Sequence, residues 1–453
     1  MESIVRFRFS YRTLLALSLL WIAACSSGDA PAPSPWGTPS VIQGGQTNAK
    51  DVRLAMTGTG KGIAVWRQDN GSGDYNIVSA SYSAGTGVWS APQVIQLGTG
   101  DADTPQVAVD GNGNAVAVWL QFYGFGRFQV WANSYNAALG AWGIPQAIQE
   151  GETDSLAPQA AMDASGNAMV VWYQDNGAYT YTIMANHYRA RLGNWSGPQV
   201  IQAGVDDAAY PQVALDASGN AVAVWIQYNG AGQYTVRTNR YRADTDAWEE
   251  AQVIQMVAAE ARDPQVGMDG AGNAVAIWIQ DGGTGIYTVW ASRYSAGVWT
   301  APRVIQSGDT DATGPQVAVD SAGNAVSVWY QQESDTGDYT IRANRYAASA
   351  AAWGTPQVIQ RGTDDAGFPQ VHCTANGEAV AVWSQLDDSG VSQIWANRYS
   401  AGASAWNGAE LVHSETTDAL HPQVSLDGTG RAVAVWLQDD GSGIFTAMAA
   451  GSR

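Results

Sequence analysis

The chain has 453 residues, a formal charge of −19 and only 14% charged residues. Phosphate backbones and bare anionic membrane surfaces are held by clustered Lys and Arg, so this acidic chain excludes both as partners. Abundant Gly (51 residues) and aromatics (10%) exclude a coiled coil or a disordered chain and suit short strands joined by tight turns.

In chain order, Arg6, Arg8 and Arg12 precede a short apolar run, Leu14 to Ile22, that leads into Ala23, Ala24 and Cys25. Positive charge, apolar run and small residues before Cys make an export signal rather than a membrane span. The segment resembles the lipobox of bacterial lipoproteins. That resemblance implies cleavage after residue 24, lipidation of Cys25, attachment to a membrane through Cys25 alone and, with Ser26 next, sorting to the outer membrane of the cell envelope. Residues 25–35, rich in Ser, Pro and Ala, read as a flexible tether. Acylated Cys25 leaves Cys373 without a partner, and Cys373 stands where the second repeat has Val109, so a buried apolar thiol is expected.

From residue 36 onward one pattern returns. Asn114 to Gln121 alternates small or polar residues with branched apolar ones and ends Trp-Leu-Gln, a strand signature. Equivalent Trp residues stand at 66, 119, 172, 225, 278, 329, 383 and 436. A fixed period near 50 residues marks a repeat architecture. One unit reads as four strands: Pro105 to Asp110, begun by a Pro that cannot sit inside a strand; Asn114 to Gln121; Phe128 to Tyr135; and Trp142 to Gln149. Four antiparallel strands cannot bury both faces of their sheet alone, and radial stacking solves this. A linear β-solenoid is the competing architecture. The ends favour a closed form: a fourth-strand copy, Trp36 to Gln43, precedes the first unit, and the last unit stops at its third strand near Met448. Pairing the two removes two exposed edges. The expectation is all-β: a single eight-bladed β-propeller over residues 36–453, closed by residues 36–43 as the outer strand of the last blade.

Recurrence separates scaffold from site. Trp occupies the second-strand slot and the fourth-strand slot in all eight repeats, 16 of 20 Trp, which reads as packing between blades. Gln68 and its seven equivalents read as amides that satisfy backbone groups. A further Gln set follows each first-strand Pro, with Arg53 in the first repeat. It has two readings: the same structural role, or residues at the mouth of a central channel where Arg53 holds an anion. Asp110 and its equivalents open turns, and the likeness of Asp110 to Asn114 to a calcium loop fades in later copies. His413, Glu415, Asp418 and His421 match no metal motif of fixed spacing, so no metal and no cofactor is expected.

The units Pro-x-Val-Ala-Val-Asp, Gly-Asn-Ala-Val-Ala-Val-Trp and Arg293 to Pro302 (Arg-Tyr-Ser-Ala-Gly-Val-Trp-Thr-Ala-Pro) resemble the blades of sialidase-like (BNR, Asp-box) propellers. The box Asp is missing before Trp299. The Phe-Arg-Ile-Pro stretch and the arginine cluster of that family are also missing, so its activity is not implied. Function is expected on the variable loops of one face. The loops before each first strand are acidic, and those after each second strand mix aromatics with amides and acids. Asp69, Tyr123, Phe125, Asp175, Tyr228 and Asp281, with Arg53, are the candidate ligand residues, and no catalytic residue is singled out. The expected function is a monomeric, lipid-anchored, non-enzymatic module that binds a protein or carbohydrate of the cell envelope. An envelope-assembly scaffold and a glycan-active hydrolase are the alternatives.

Overall fold

Strand pairing makes eight separate antiparallel sheets, and no helix occurs among the described residues. The structure, a computed structural model, describes residues 35–452 except 99, 257 and 258. The proposed signal peptide, Cys25 and nearly all of the tether therefore lie outside the described residues. In the second blade the order from the inside outward is Ala102–Val109, Ala115–Gly124, Arg127–Asn136 and an outer strand in two pieces, Ala141–Trp142 and Gln146–Ala147.

The eight inner strands touch one another in succession, and Ala419–Leu426 of blade 8 touches Ala49–Met56 of blade 1, so they enclose an axial channel. Closure is made as the repeat count requires. Ser40 and Val41 pair with Ala449 and Met448. Gly37 N donates to Gly451 O at 2.8 Å, and Ile42 N donates to Ala447 O at 3.0 Å. The chain is an eight-bladed β-propeller, and the solenoid reading falls.

There is no single core. Eight apolar clusters each join two adjacent blades. At the seam between blades 1 and 2, Ile63, Val65, Ile77 and Ile95 pack on Ala102, Ala115, Ala117 and Trp119. The second-strand Trp residues are wholly buried in these seams. Each contributes up to about 4–6 kcal/mol by area, an upper bound because an unfolded chain already buries some of it. The outer Trp residues of blades 1 to 7 lie over Tyr of the third strand, as Trp142 does over Tyr135 at 5.3 Å. Cys373 is half-buried against the seam of blades 6 and 7, and burial pushes its thiol up to about 12.

One boundary differs from expectation. The inner strand begins at Ala102, three residues before Pro105, so the Pro is internal. The pairing shifts between Asp103 and Gln106, which marks a bulge. An innermost strand has a partner on one side only, so a residue without an N–H is tolerated where the ladder is already broken.

A candidate site at the channel mouth

Much of what recurs is consumed by the scaffold. In all eight blades the second-strand Trp Nε1 donates to Oε1 of the Gln two residues on, at 3.0 to 3.3 Å. The same amide reaches a loop carbonyl, as Gln227 Nε2 does to Ala203 O at 2.7 Å. The acidic loops are also partly structural. Asp154, Asp207, Asp311 and Asp418 each accept an N–H at the start of a third strand at 2.8 Å. Asp110 Oδ1 accepts the N–H groups of Asn112 and Asn114, and its Oδ2 accepts Asn114 Nδ2. These carboxylates hold turns, and no group of three or more His, Cys, Asp or Glu could hold a metal among the described residues. His413 fills a Gln slot and lies on Trp436 at 5.0 Å, while His421 lies on Phe368 at 4.7 Å.

The residues expected from sequence to bind ligand divide in the same way. Asp69 caps its own loop through Gly71 N at 2.7 Å, and Asp175 does so through Gly177 N at 2.9 Å. Asp281 accepts from Gly283, Thr284 and Gly285. Tyr228 packs edge-on to Tyr234, whose hydroxyl donates to Asp207 at 2.7 Å. Tyr123 donates to Glu152 at 3.1 Å, and Phe125 is 96% exposed. Tyr179, in the equivalent loop of blade 3, is also 96% exposed and was not singled out by sequence.

Sequence reasoning also missed a set that the backbone picks out. In every blade the residue at the inner-strand bulge has φ between 45° and 56°: Asp51, Thr104, Ala157, Tyr210, Asp263, Gly314, Phe368 and His421. Seven of these carry side chains in a region that L-residues avoid. The bulge adjoins the end of the second strand, as Ala102 pairs with Gln121, so all eight sit at the face bearing the variable loops. The readable signal was a variable residue just before an otherwise constant Pro.

These residues give the mouth three sectors. Across blades 3 and 4, Tyr173 meets Tyr181 at 5.2 Å and Tyr210 at 5.9 Å. Across blades 6 to 8, Tyr339, Tyr330, Phe368 and His421 form a chain of ring contacts at 5.4, 6.3 and 4.7 Å. Gly314 makes room for this chain, because a Cβ there would meet the Tyr330 ring at 2.5 Å. Tyr210 and Phe368 remain 54% and 45% exposed. In the third sector, Arg67 Nη1 contacts Asp51 Oδ2 at 3.0 Å and Asp103 Oδ1 at 2.9 Å. Burial holds the Asp103 carboxyl above its usual range, opposed by Arg67. Burial also lowers His421 and raises Asp263.

No family model matches the chain, and no curated protein matches it. Solved structures do. An ulvan lyase of polysaccharide lyase family PL25 is 10% identical, with 76% of this chain and 92% of that one covered and a TM-score of 0.51. A protein of unknown function from Dyadobacter fermentans is 13% identical over 80% and 96% of the two chains, with a TM-score of 0.45. A Hadza microbial sialidase is 10% identical over 71% and 74%, with a TM-score of 0.41. The resemblance is one of fold.

Proposed function

We propose that this propeller is a carbohydrate-binding module of the bacterial cell envelope, held to the outer membrane by acyl chains on Cys25. The observation that carries the reading is the pair of half-exposed aromatic clusters at the channel mouth, presented by strained bulges repeated in every blade. Sugar rings stack their C–H faces on Tyr and Phe, and neighbouring carboxylates and amides bind their hydroxyls. Backbone strain kept at seven of the eight bulges, with six kinds of side chain, suits a surface whose specificity is set residue by residue. Tyr123, Phe125 and Tyr179 extend it outward.

One observation favours a glycan hydrolase instead. Asp51 and Asp103 stand at the mouth, each about 3 Å from one nitrogen of Arg67, a separation compatible with a paired-carboxylate mechanism. Arg67 opposes the proton that a general acid needs, but burial outweighs it and holds the Asp103 carboxyl above its usual range, so the carboxylate pair does not choose between the two readings. Binding without cleavage is preferred because it is the reading that uses the aromatic clusters.

The test is a glycan array probed with the full-length protein in detergent. Capture should fall at least tenfold, roughly the worth of one stacked aromatic, in Tyr210→Ala and in Phe368→Ala. Capture unchanged by both substitutions overturns the reading. Product release that is lost in Asp103→Asn would install the hydrolase.

A further inference from the structure

Two residues after each bulge, the inner strands carry Arg53, Gln106, Gln159, Gln212, Gln265, Gln316, Gln370 and Gln423. All eight are half-buried on the strands that enclose the axis. The other Gln sets of this protein are saturated. Gln96, for example, accepts from Ile77 N at 2.7 Å and donates to Asn76 Oδ1 and Gly100 O. The seven inner-strand amides, in contrast, make no side-chain hydrogen bond to any described residue. The structural role expected for them as one of two readings is therefore not fulfilled. Polar groups conserved in position but unpaired within the protein are available to whatever occupies the channel.

Arg53 is the one charge in this belt. Its Nη1 reaches only the carbonyl of Val52, at 3.5 Å, the outer limit of a hydrogen bond. It makes no ion pair with a described residue, and Asp51, nearby in sequence, is engaged by Arg67. Burial pushes the guanidinium below its usual pKa, with Asp51 opposing. A half-buried cation that feels Asp51 but makes no ion pair with a described residue is costly, and an oxyanion lowers that cost through paired N–H···O bonds.

We propose that the axial channel is an oxyanion site, in which Arg53 grips a sulfate, phosphate or carboxylate group and the flanking amides of Gln106 and Gln423 donate to it. The site uses none of the mouth aromatics, so it stands or falls separately from carbohydrate capture there.

The test is calorimetric titration of the full-length protein with sodium sulfate, with sodium glucuronate and with glucose, against sodium chloride at matched ionic strength. Arg53→Gln installs the residue that the other seven blades already carry, so the variant should fold. Saturable binding of sulfate or glucuronate, weakened about tenfold or more in Arg53→Gln, is the expected result. Sulfate alone would identify a free inorganic oxyanion, and glucuronate without glucose the acid group of a sugar. Identical titrations for the two proteins, or no saturation with any anion, would overturn the proposal. Tyr210→Ala, which removes a ring that stacks on sugars, should leave the sulfate titration unchanged.

Discussion

Single residues are fixed here by what their polar atoms can reach. Gln227 accepts from the buried Trp225 indole and donates to Ala203 O, so Gln227→Ala orphans one donor and one acceptor at once. Each orphan costs about 1–3 kcal/mol, so a loss of about 2–6 kcal/mol in denaturant unfolding is expected. A stability change within experimental error would remove the amide from its structural role. His372 offers a second test. Its Nδ1 accepts Leu426 N–H at 3.3 Å across the seam of blades 7 and 8, and burial lowers its pKa to about 4. The fold thus favours the neutral ring. Its stabilisation is complete above the unfolded value near 6.5 and is lost as pH falls from there towards 4. The contribution is on the order of 3 kcal/mol. His372→Ala places there the residue found at that slot in five other blades, Ala55, Ala108, Ala161, Ala214 and Ala318. Between pH 7 and pH 4 its unfolding midpoint should decline less than that of the wild type, and parallel declines would contradict the assignment. The remaining histidines, His187, His413 and His421, are lowered by burial too, so acid weakens the fold at several seams.

Elements obey the repeat, and so does their backbone strain. The bulge of each inner strand holds a left-handed residue immediately before a Pro or, in blade 1, before Val52. At Ala157 this predicts the reverse of the usual rule. Ala→Gly ordinarily destabilises, but a φ of 45° costs Ala more than it costs Gly, so Ala157→Gly should raise the unfolding temperature by an amount equivalent to about 0.5–1 kcal/mol. A lower midpoint would mean that the strain is only nominal. These bulges also show where sequence reading stops. Strand order, blade number and the packing Trp residues were legible because each rests on period-two alternation or on exact recurrence. Pro105 appeared to start a strand because an internal Pro is normally forbidden, and only the pairing pattern shows that the ladder is broken there. Asp69, Asp175 and Asp281, expected from sequence to meet a ligand, also cap their own loops, a role fixed by backbone geometry that charge alone does not reveal. Tyr210 and Phe368 were overlooked because variation at one slot looks like noise until eight copies are seen at one rim. The outer strand shows a similar limit. Pro92, Pro145 and Pro198 stand between its two pieces, yet blade 4 is split with Ala251 there, so proline is not the whole reason.

The molecule as a whole depends on one seam unlike the others. Seven blades are made from continuous chain, whereas blade 8 borrows its outer strand from residues near the other end of the described chain. Trp36 is buried there with the Arg398 guanidinium over its ring at 5.5 Å, and Gln43 Oε1 accepts Ala447 N at 2.8 Å. Trp36→Ala should cost about 3–5 kcal/mol, as truncations of large buried aromatics do. Removing residues 36–43 altogether bares the edge of Phe445–Gly451, an unpaired strand that invites another chain. The truncated protein is expected to elute as oligomers and to unfold at a lower temperature, and a synthetic peptide of residues 35–44 added in trans should restore both properties. A monomer of unchanged stability would mean that the borrowed strand is dispensable. The same seam sets Arg53 and Gln423 in adjacent inner strands, since blade 8 meets blade 1 there. Sulfate or glucuronate binding should therefore fall with truncation and return with the peptide. If binding survives truncation while closure does not, the anion is held by Arg53 and Gln106 of blades 1 and 2, and Gln423 has no part in it.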